Sequence, residues 1–114
     1  MSSKKIVLVT GASTGLGYQI VKALYASATP YSILLGGRSL AKAEDAIQRL
    51  KNESATGQGD VRAIQIDIED DVSIASAFKE IEGKYGKLDA LVNNAGELII
   101  TFYYGSIEQS SDPC

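Results

Sequence analysis

The stretch "KIVLVTGASTGLG" (5–17) sets a short, β-branched apolar run directly against a glycine-rich loop. Little else in the chain restricts folding so tightly. "KIVLVT" (5–10) has the composition of a strand buried on both faces. From Leu16 onward the apolar residues Leu16, Ile20, Leu24 and Ala28 recur every four positions, joined by Val21 and Tyr25, which predicts a helix. The glycines between the two elements each have a physical use. Gly11 lets the chain turn sharply out of the strand, Gly15 removes a side chain where the backbone must approach a pyrophosphate, and Gly17 allows close packing of helix on strand. The free N–H groups and positive dipole end of the helix suit phosphate. Ser13 and Thr14 add hydroxyl donors, so Gly11, Ser13, Thr14, Gly15, Leu16 and Gly17 are the candidate phosphate contacts. No Gly-Lys-Ser/Thr closes the loop, which excludes a Walker A motif.

Strands and helices continue to alternate. Pro30 stops the first helix, because proline lacks a donor and pushes its predecessor out of the helical region. "YSILLG" (31–36) reads as a second buried strand, and Ser39 is placed to cap a helix with the face Leu40, Ala43, Ile47 and Leu50. After the loop "NESATGQGD", "VRAIQID" (61–67) forms a third strand. Asp70 or Asp71 can cap a third helix carrying Ile74, Phe78, Ile81 and Tyr85, with Gly83 and Gly86 marking its end. "LDALVN" (88–93) is the fourth strand. Helical crossovers of this length demand a parallel sheet, so the expected fold class is α/β: a partial doubly wound sheet in the order 3-2-1-4. Helices lie on both faces, two on one and one on the other. Residues 1–97 form this dinucleotide-binding half domain. Residues 98–114 form a divergent tail in which "LIITFYY" is strand-like and "GSIEQSSDPC" is small and polar.

Composition narrows the function classes. With 114 residues, 45% of them hydrophobic, the chain has room for one globular domain. No apolar run approaches the roughly 20 residues of a membrane span, and the N-terminus does not read as a signal peptide, so a cytoplasmic protein is expected. The single cysteine, Cys114, builds no disulfide framework, and the lack of histidine excludes a histidine triad or zinc site. No metal is expected. The net charge of −3 conceals an asymmetry: residues 1–43 hold Lys4, Lys5, Lys22, Arg38 and Lys42 but no acid, and all 14 acids follow. That segment suits an anionic ligand, whereas the acidic whole argues against nucleic acid.

Thr-Gly-x-x-x-Gly-x-Gly at 10–17, with Asn-Asn-Ala-Gly at 93–96, resembles the N-terminal half of a short-chain dehydrogenase/reductase, over about residues 4 to 97. The resemblance implies a dinucleotide cofactor. Folds that bind NAD usually place an acid about 20 residues past the glycine loop to accept ribose hydroxyls. Here that place reads "GGRS". Gly37 cannot accept a hydroxyl, whereas Arg38 can clamp a 2′-phosphate with its planar fork, and Ser39 adds a hydroxyl. The expected cofactor is therefore NADP(H). A methyltransferase is disfavoured by the same missing acid. Asp67 resembles the family's aspartate that holds the adenine amino group, with the backbone of Ile68 beside it. Asn93 resembles the asparagine that ties neighbouring strands together, while Ala95 and Gly96 would line the nicotinamide ribose.

The family's catalytic serine, Tyr-x-x-x-Lys pair and helical asparagine lie well beyond the fourth strand, so no catalytic residue is assigned in this sequence. Tyr18-Gln-Ile-Val-Lys22 matches the spacing, but it sits in the first helix and reads as helix surface and core. Ser106, Ser110 and Ser111 have no partner base. After Glu97 no helical stripe matches the family's next element. Two readings follow: an NADP(H)-binding, dehydrogenase-like protein without independent turnover, or a non-catalytic interaction module with a vestigial nucleotide site. In the second, the under-covered sheet face and the edge of the fourth strand, with Leu91 and Val92, favour self-association or pairing with a full-length relative, unless the tail folds back as an extra strand.

Overall fold

A computed structural model of the chain describes residues 5–53 and 59–94, and the backbone of 100–104. Strands β1 (Lys5–Val9), β2 (Tyr31–Gly37), β3 (Asp60–Gln65) and β4 (Ala90–Asn94) alternate with helices α1 (Gly15–Tyr25), α2 (Leu40–Glu53) and α3 (Asp71–Tyr85), and β5 (Ile100–Tyr104) follows. The sheet order is β3-β2-β1-β4-β5. The first four strands are parallel, with Val7 opposite Ile33 on one side and Ala90 on the other. β5 joins antiparallel to β4, pairing Val92 with Phe102. This is a partial doubly wound α/β sheet.

Alternation along the strands divides the core. Val7 and Val9 of β1 point into a cluster with Ile33, Leu35, Val61 and Val92, roofed by Tyr18, Val21 and Tyr25 of α1 and by Ala43, Ala46, Ile47 and Leu50 of α2. Ile6 and Leu8 point the other way, with Leu34, Ile64 and Ile66, under Ala77 and Ile81 of α3. A strand sandwiched between two such layers must be apolar at every position, hence the unbroken "IVLV" run.

The helix stripes differ from the sequence reading at their ends. Leu16 and Leu40 are 48% and 44% exposed, because α1 turns Tyr18, Val21 and Tyr25 inward and α2 turns Ala43, Ala46, Ile47 and Leu50. α1 ends at Tyr25 rather than near Ala28. The Ser27 hydroxyl takes the Thr29 N–H (3.1 Å), a local bond that competes with a further helical turn. α3 keeps its expected termini: Asp70 caps the Val72 N–H, and Gly86 closes the helix in the left-handed region at φ 76°.

The fourth strand also departs from expectation. Its edge is not free, since β5 pairs along its length. Val92 is buried in the two-helix core and Leu91 packs partly against the α3 cluster, so neither forms the exposed patch anticipated from the sequence. Asp89 fastens the start of this strand. Its N–H donates to the Ile6 carbonyl (2.9 Å), and its carboxylate accepts the Ile6 N–H (2.7 Å) and contacts Lys87 (3.1 Å). A side chain thereby adds a rung to the β1–β4 ladder. No helix among the described residues is long and apolar enough to cross a membrane.

Candidate functional site

The glycine loop is tied to the strands on both sides. The Thr10 N–H donates to Val92 O (3.0 Å), and its hydroxyl accepts the Asn94 N–H (3.0 Å) while donating to Asn93 Oδ1 (3.0 Å). Asn94 Nδ2 donates to Gly11 O (3.2 Å), and the Ala12 N–H donates to Gly36 O in β2 (2.9 Å). Asn93 thus links β4 to β1 through Thr10. Buried Asn94 supports the loop itself, a part that sequence reasoning left unassigned.

Each glycine answers a different demand. Gly11 has φ 58°, and a Cβ there would stand 2.6 Å from Asn94 O. At Gly17 a Cβ would lie 2.3 Å from Gly11 O and 2.7 Å from Asn94 Nδ2, so this residue lets the helix seat on the loop and on Asn94 as well as on the strand. Gly15 has φ 63° with nothing within 4 Å of its Cβ position. Its backbone therefore faces open space, as close approach of a ligand requires.

Helix termini sharpen the contrast. α2 is capped by Ser39, whose Oγ accepts the Lys42 N–H (3.3 Å), and α3 is capped by Asp70. α1 has no side-chain cap from Thr14 and no acid in its first turn. Orphan N–H groups at a positive dipole end form an anion site.

That terminus opens onto a cleft of about 660 Å³ lined by Gly11, Ser13, Thr14, Gly37, Arg38, Ser39, Lys42, Ile66, Asp67, Ile68, Glu69 and Asn94. The fold thus gathers the glycine loop, the end of β2 and the segment after β3 at the carboxyl ends of the parallel strands, where open α/β sheets hold their ligands. Arg38 and Lys42 make no ion pair among the described residues. Lys42 was legible only as one of the cations in the acid-free segment. A Cβ at Gly37 would meet Ala43 Cβ, Ser13 Oγ and Ser39 O at 3.8 Å, which is ordinary contact. Space therefore does not force glycine at position 37, and its lack of a carboxylate is a chemical feature of the cleft.

Asp67 lines the cleft half-buried, and its Oδ1 accepts the Glu69 N–H (3.0 Å). Its own N–H donates to Ser73 Oγ (2.8 Å). It is therefore a turn former as well as a cleft residue. Leu16, Gly15, Gly17 and Asn93 shape the loop without lining the cleft, and Ala95 and Gly96 lie outside the described residues.

The Tyr18–Lys22 spacing belongs to a different structure. Buried Tyr18 donates its hydroxyl to Glu53 Oε1 (2.7 Å), Lys22 contacts the same oxygen (3.3 Å), and the Arg49 guanidinium stands over the Tyr18 ring at 4.2 Å. These four residues latch α1 to the end of α2. The Tyr18 hydroxyl, then Lys22, hold the Glu53 carboxyl below its ordinary value. Among the described residues no cluster of histidine, cysteine or acids is arranged to hold a metal.

Comparison with known proteins agrees with this geometry. A model of the short chain dehydrogenase family matches residues 5–109, past Glu97. The short-chain dehydrogenase/reductase eupG of Phoma sp is 46% identical over 94 residues, which cover 82% of this chain and 34% of that protein. The structure of menthone neomenthol reductase from Mentha piperita superposes with a TM-score of 0.72 at 35% identity, covering 82% of this chain and 32% of the other. An alcohol dehydrogenase from the archaeon Thermococcus sibiricus, complexed with 5-hydroxy-NADP, gives a TM-score of 0.63 at 28% identity, covering 76% and 35%. The chain spans about a third of the length of the relatives it matches.

Proposed function

The chain belongs to the short-chain dehydrogenase family, and on that premise we propose that it forms the coenzyme-binding part of an NADP(H)-dependent oxidoreductase. The cleft carries this reading. It joins an uncapped helix N-terminus to Arg38 and Lys42, two cations without ionic partners among the described residues, beside a Gly37 that offers no acid. A phosphorylated dinucleotide has the matching charges: a pyrophosphate for the loop and a 2′-phosphate for the cations. The complex of the archaeal alcohol dehydrogenase with an NADP derivative supports the same choice.

In this reading the backbone of Gly15, Leu16 and Gly17, with the hydroxyls of Ser13 and Thr14, takes the pyrophosphate. Gly11 shapes the loop. Arg38, Ser39 and Lys42 take the 2′-phosphate, Asp67 and Ile68 hold the adenine, and Ala95 and Gly96 lie along the nicotinamide ribose, with Asn93 bracing them. The bound coenzyme supplies hydride chemistry, and these residues bind and orient it. No catalytic residue is assigned in this sequence, and Tyr18 and Lys22 are engaged in the α1–α2 latch, so the 114 residues alone are expected to bind coenzyme without turning it over. Sustained NADPH consumption by this chain with carbonyl substrates would contradict that part.

Fragments of the coenzyme test the cleft. Adenosine 2′,5′-bisphosphate is expected to bind about ten-fold or more tightly than AMP, the scale of charge-assisted hydrogen bonds. Its advantage should shrink with added salt. Equal affinity for both nucleotides would remove the 2′-phosphate site.

A further inference from the structure

Arg38 sits on a turn whose carbonyls are fixed one after another. Gly36 O accepts the Ala12 N–H (2.9 Å), Gly37 O accepts the Ile66 N–H (2.9 Å), and Ser39 O accepts the Ala43 N–H (3.0 Å). Those three bonds come from backbone and survive side-chain substitution. The Arg38 carbonyl differs, since it accepts from a side chain, Gln65 Nε2, at 3.1 Å. Gln65 is the last residue of β3, in register with Gly37, and does not line the cleft.

We propose that Gln65 is a positioning residue for coenzyme selection: from β3 it holds the backbone of Arg38 and so fixes where the guanidinium enters the cleft. The inference rests on the reading of Arg38 as the 2′-phosphate contact. Its chemistry is simple. A long arginine side chain amplifies any rotation of its own peptide, and among the described residues the amide of Gln65 is the one side chain that holds the carbonyl of that peptide. Gln65 does not line the cleft, so its influence on NADPH passes through Arg38, and NADH is indifferent to it.

The test is a calorimetric titration of the 114-residue chain and its Gln65→Met, Gln65→Ala, Arg38→Ala and Arg38→Ala/Gln65→Met forms with NADPH and NADH. Met preserves length without a donor, and Ala removes the side chain, so the two together separate the hydrogen bond from packing. Loss of one hydrogen bond is expected to weaken NADPH about three- to ten-fold in both Gln65 variants and leave NADH unchanged. Adding Gln65→Met to Arg38→Ala should change nothing more. Equal weakening of both coenzymes, or no change in either, would overturn the role of Gln65 while Arg38→Ala still lowered the preference for NADPH. If Arg38→Ala itself left that preference intact, the coenzyme reading would fall and the Gln65 role with it.

Discussion

At the scale of single residues, the three loop glycines look alike in the sequence and differ in the fold. A methyl group at Gly17 would collide with the Gly11 carbonyl and the Asn94 amide, both held by the strands. Gly83 lies inside α3 with open space around its Cβ position. Gly17→Ala is thus expected to destabilise by about 1–3 kcal/mol, and Gly83→Ala to stabilise by about 0.5–1 kcal/mol. Urea denaturation of the two variants measures both, and equal effects would contradict the packing described. Gly37 offers a different experiment. The site has room for a Cβ at ordinary contact distance, so Gly37→Asp should fold. Its carboxylate would accept ribose hydroxyls and repel a 2′-phosphate, shifting the NADPH/NADH affinity ratio toward NADH by about ten-fold or more. An unchanged ratio would mean that position 37 does not face the adenosine ribose. The turn at Gly11 and the close packing at Gly17 were legible in the sequence, because glycine at those positions serves one steric purpose. Asn94 was not legible, because its amide bond to Gly11 O depends on the β1–β4 register, which spans more than eighty positions of chain.

At the scale of elements, periodicity located α1, α2 and α3, and tertiary packing then decided which turn counted. Leu16 and Leu40 fit their stripes by spacing, yet both sit in the first turn of their helices, where no helix or strand among the described residues covers them. The latch between α1 and α2 explains why a Tyr-x-x-x-Lys spacing can occur without chemistry. It also has a pH signature. The folded Glu53 carboxyl titrates below its ordinary value of 4.5, because the Tyr18 hydroxyl and then Lys22 favour its charged form. A depressed folded value contributes stability that is present above the unfolded value and is lost as pH falls through the folded one. Glu53→Gln should therefore flatten the acid limb of a melting-temperature profile, with little change in its shape at alkaline pH. An unaltered acid limb would show that the latch adds nothing. Asp89 works in the same direction. Burial raises its carboxyl, but the Ile6 N–H and Lys87 outweigh that and leave it below the ordinary range. Asp89→Ala strands the Ile6 N–H at the β1–β4 seam, and a loss of about 1–3 kcal/mol in chemical denaturation is expected. A loss within about 0.5 kcal/mol would make Asp89 an ordinary surface residue.

At the scale of the whole molecule, the alternation of buried strands and amphipathic helices dictated a parallel sheet, and right-handed crossovers left 3-2-1-4 as the natural order. The strand β5 was legible only as an alternative, a tail folding back as an extra strand. An apolar "LIITFYY" announces a strand but does not itself name its partner, and the short connection from β4 to β5 favours the antiparallel pairing observed, since a parallel neighbour needs a long crossover. Charge, by contrast, was legible early. The acid-free first 43 residues supply the glycine loop, Arg38 and Lys42, so the fold brings two cations of that segment to the cleft at one end of the sheet. The central claim is that this end selects a 2′-phosphorylated dinucleotide, and the most direct measurement is calorimetric titration of the purified chain with NADPH and NADH beside Arg38→Ala. NADPH is expected to bind more tightly, and the substitution to weaken it by about ten- to a hundred-fold while sparing NADH. A folded chain that binds both coenzymes equally, or neither, would contradict the account.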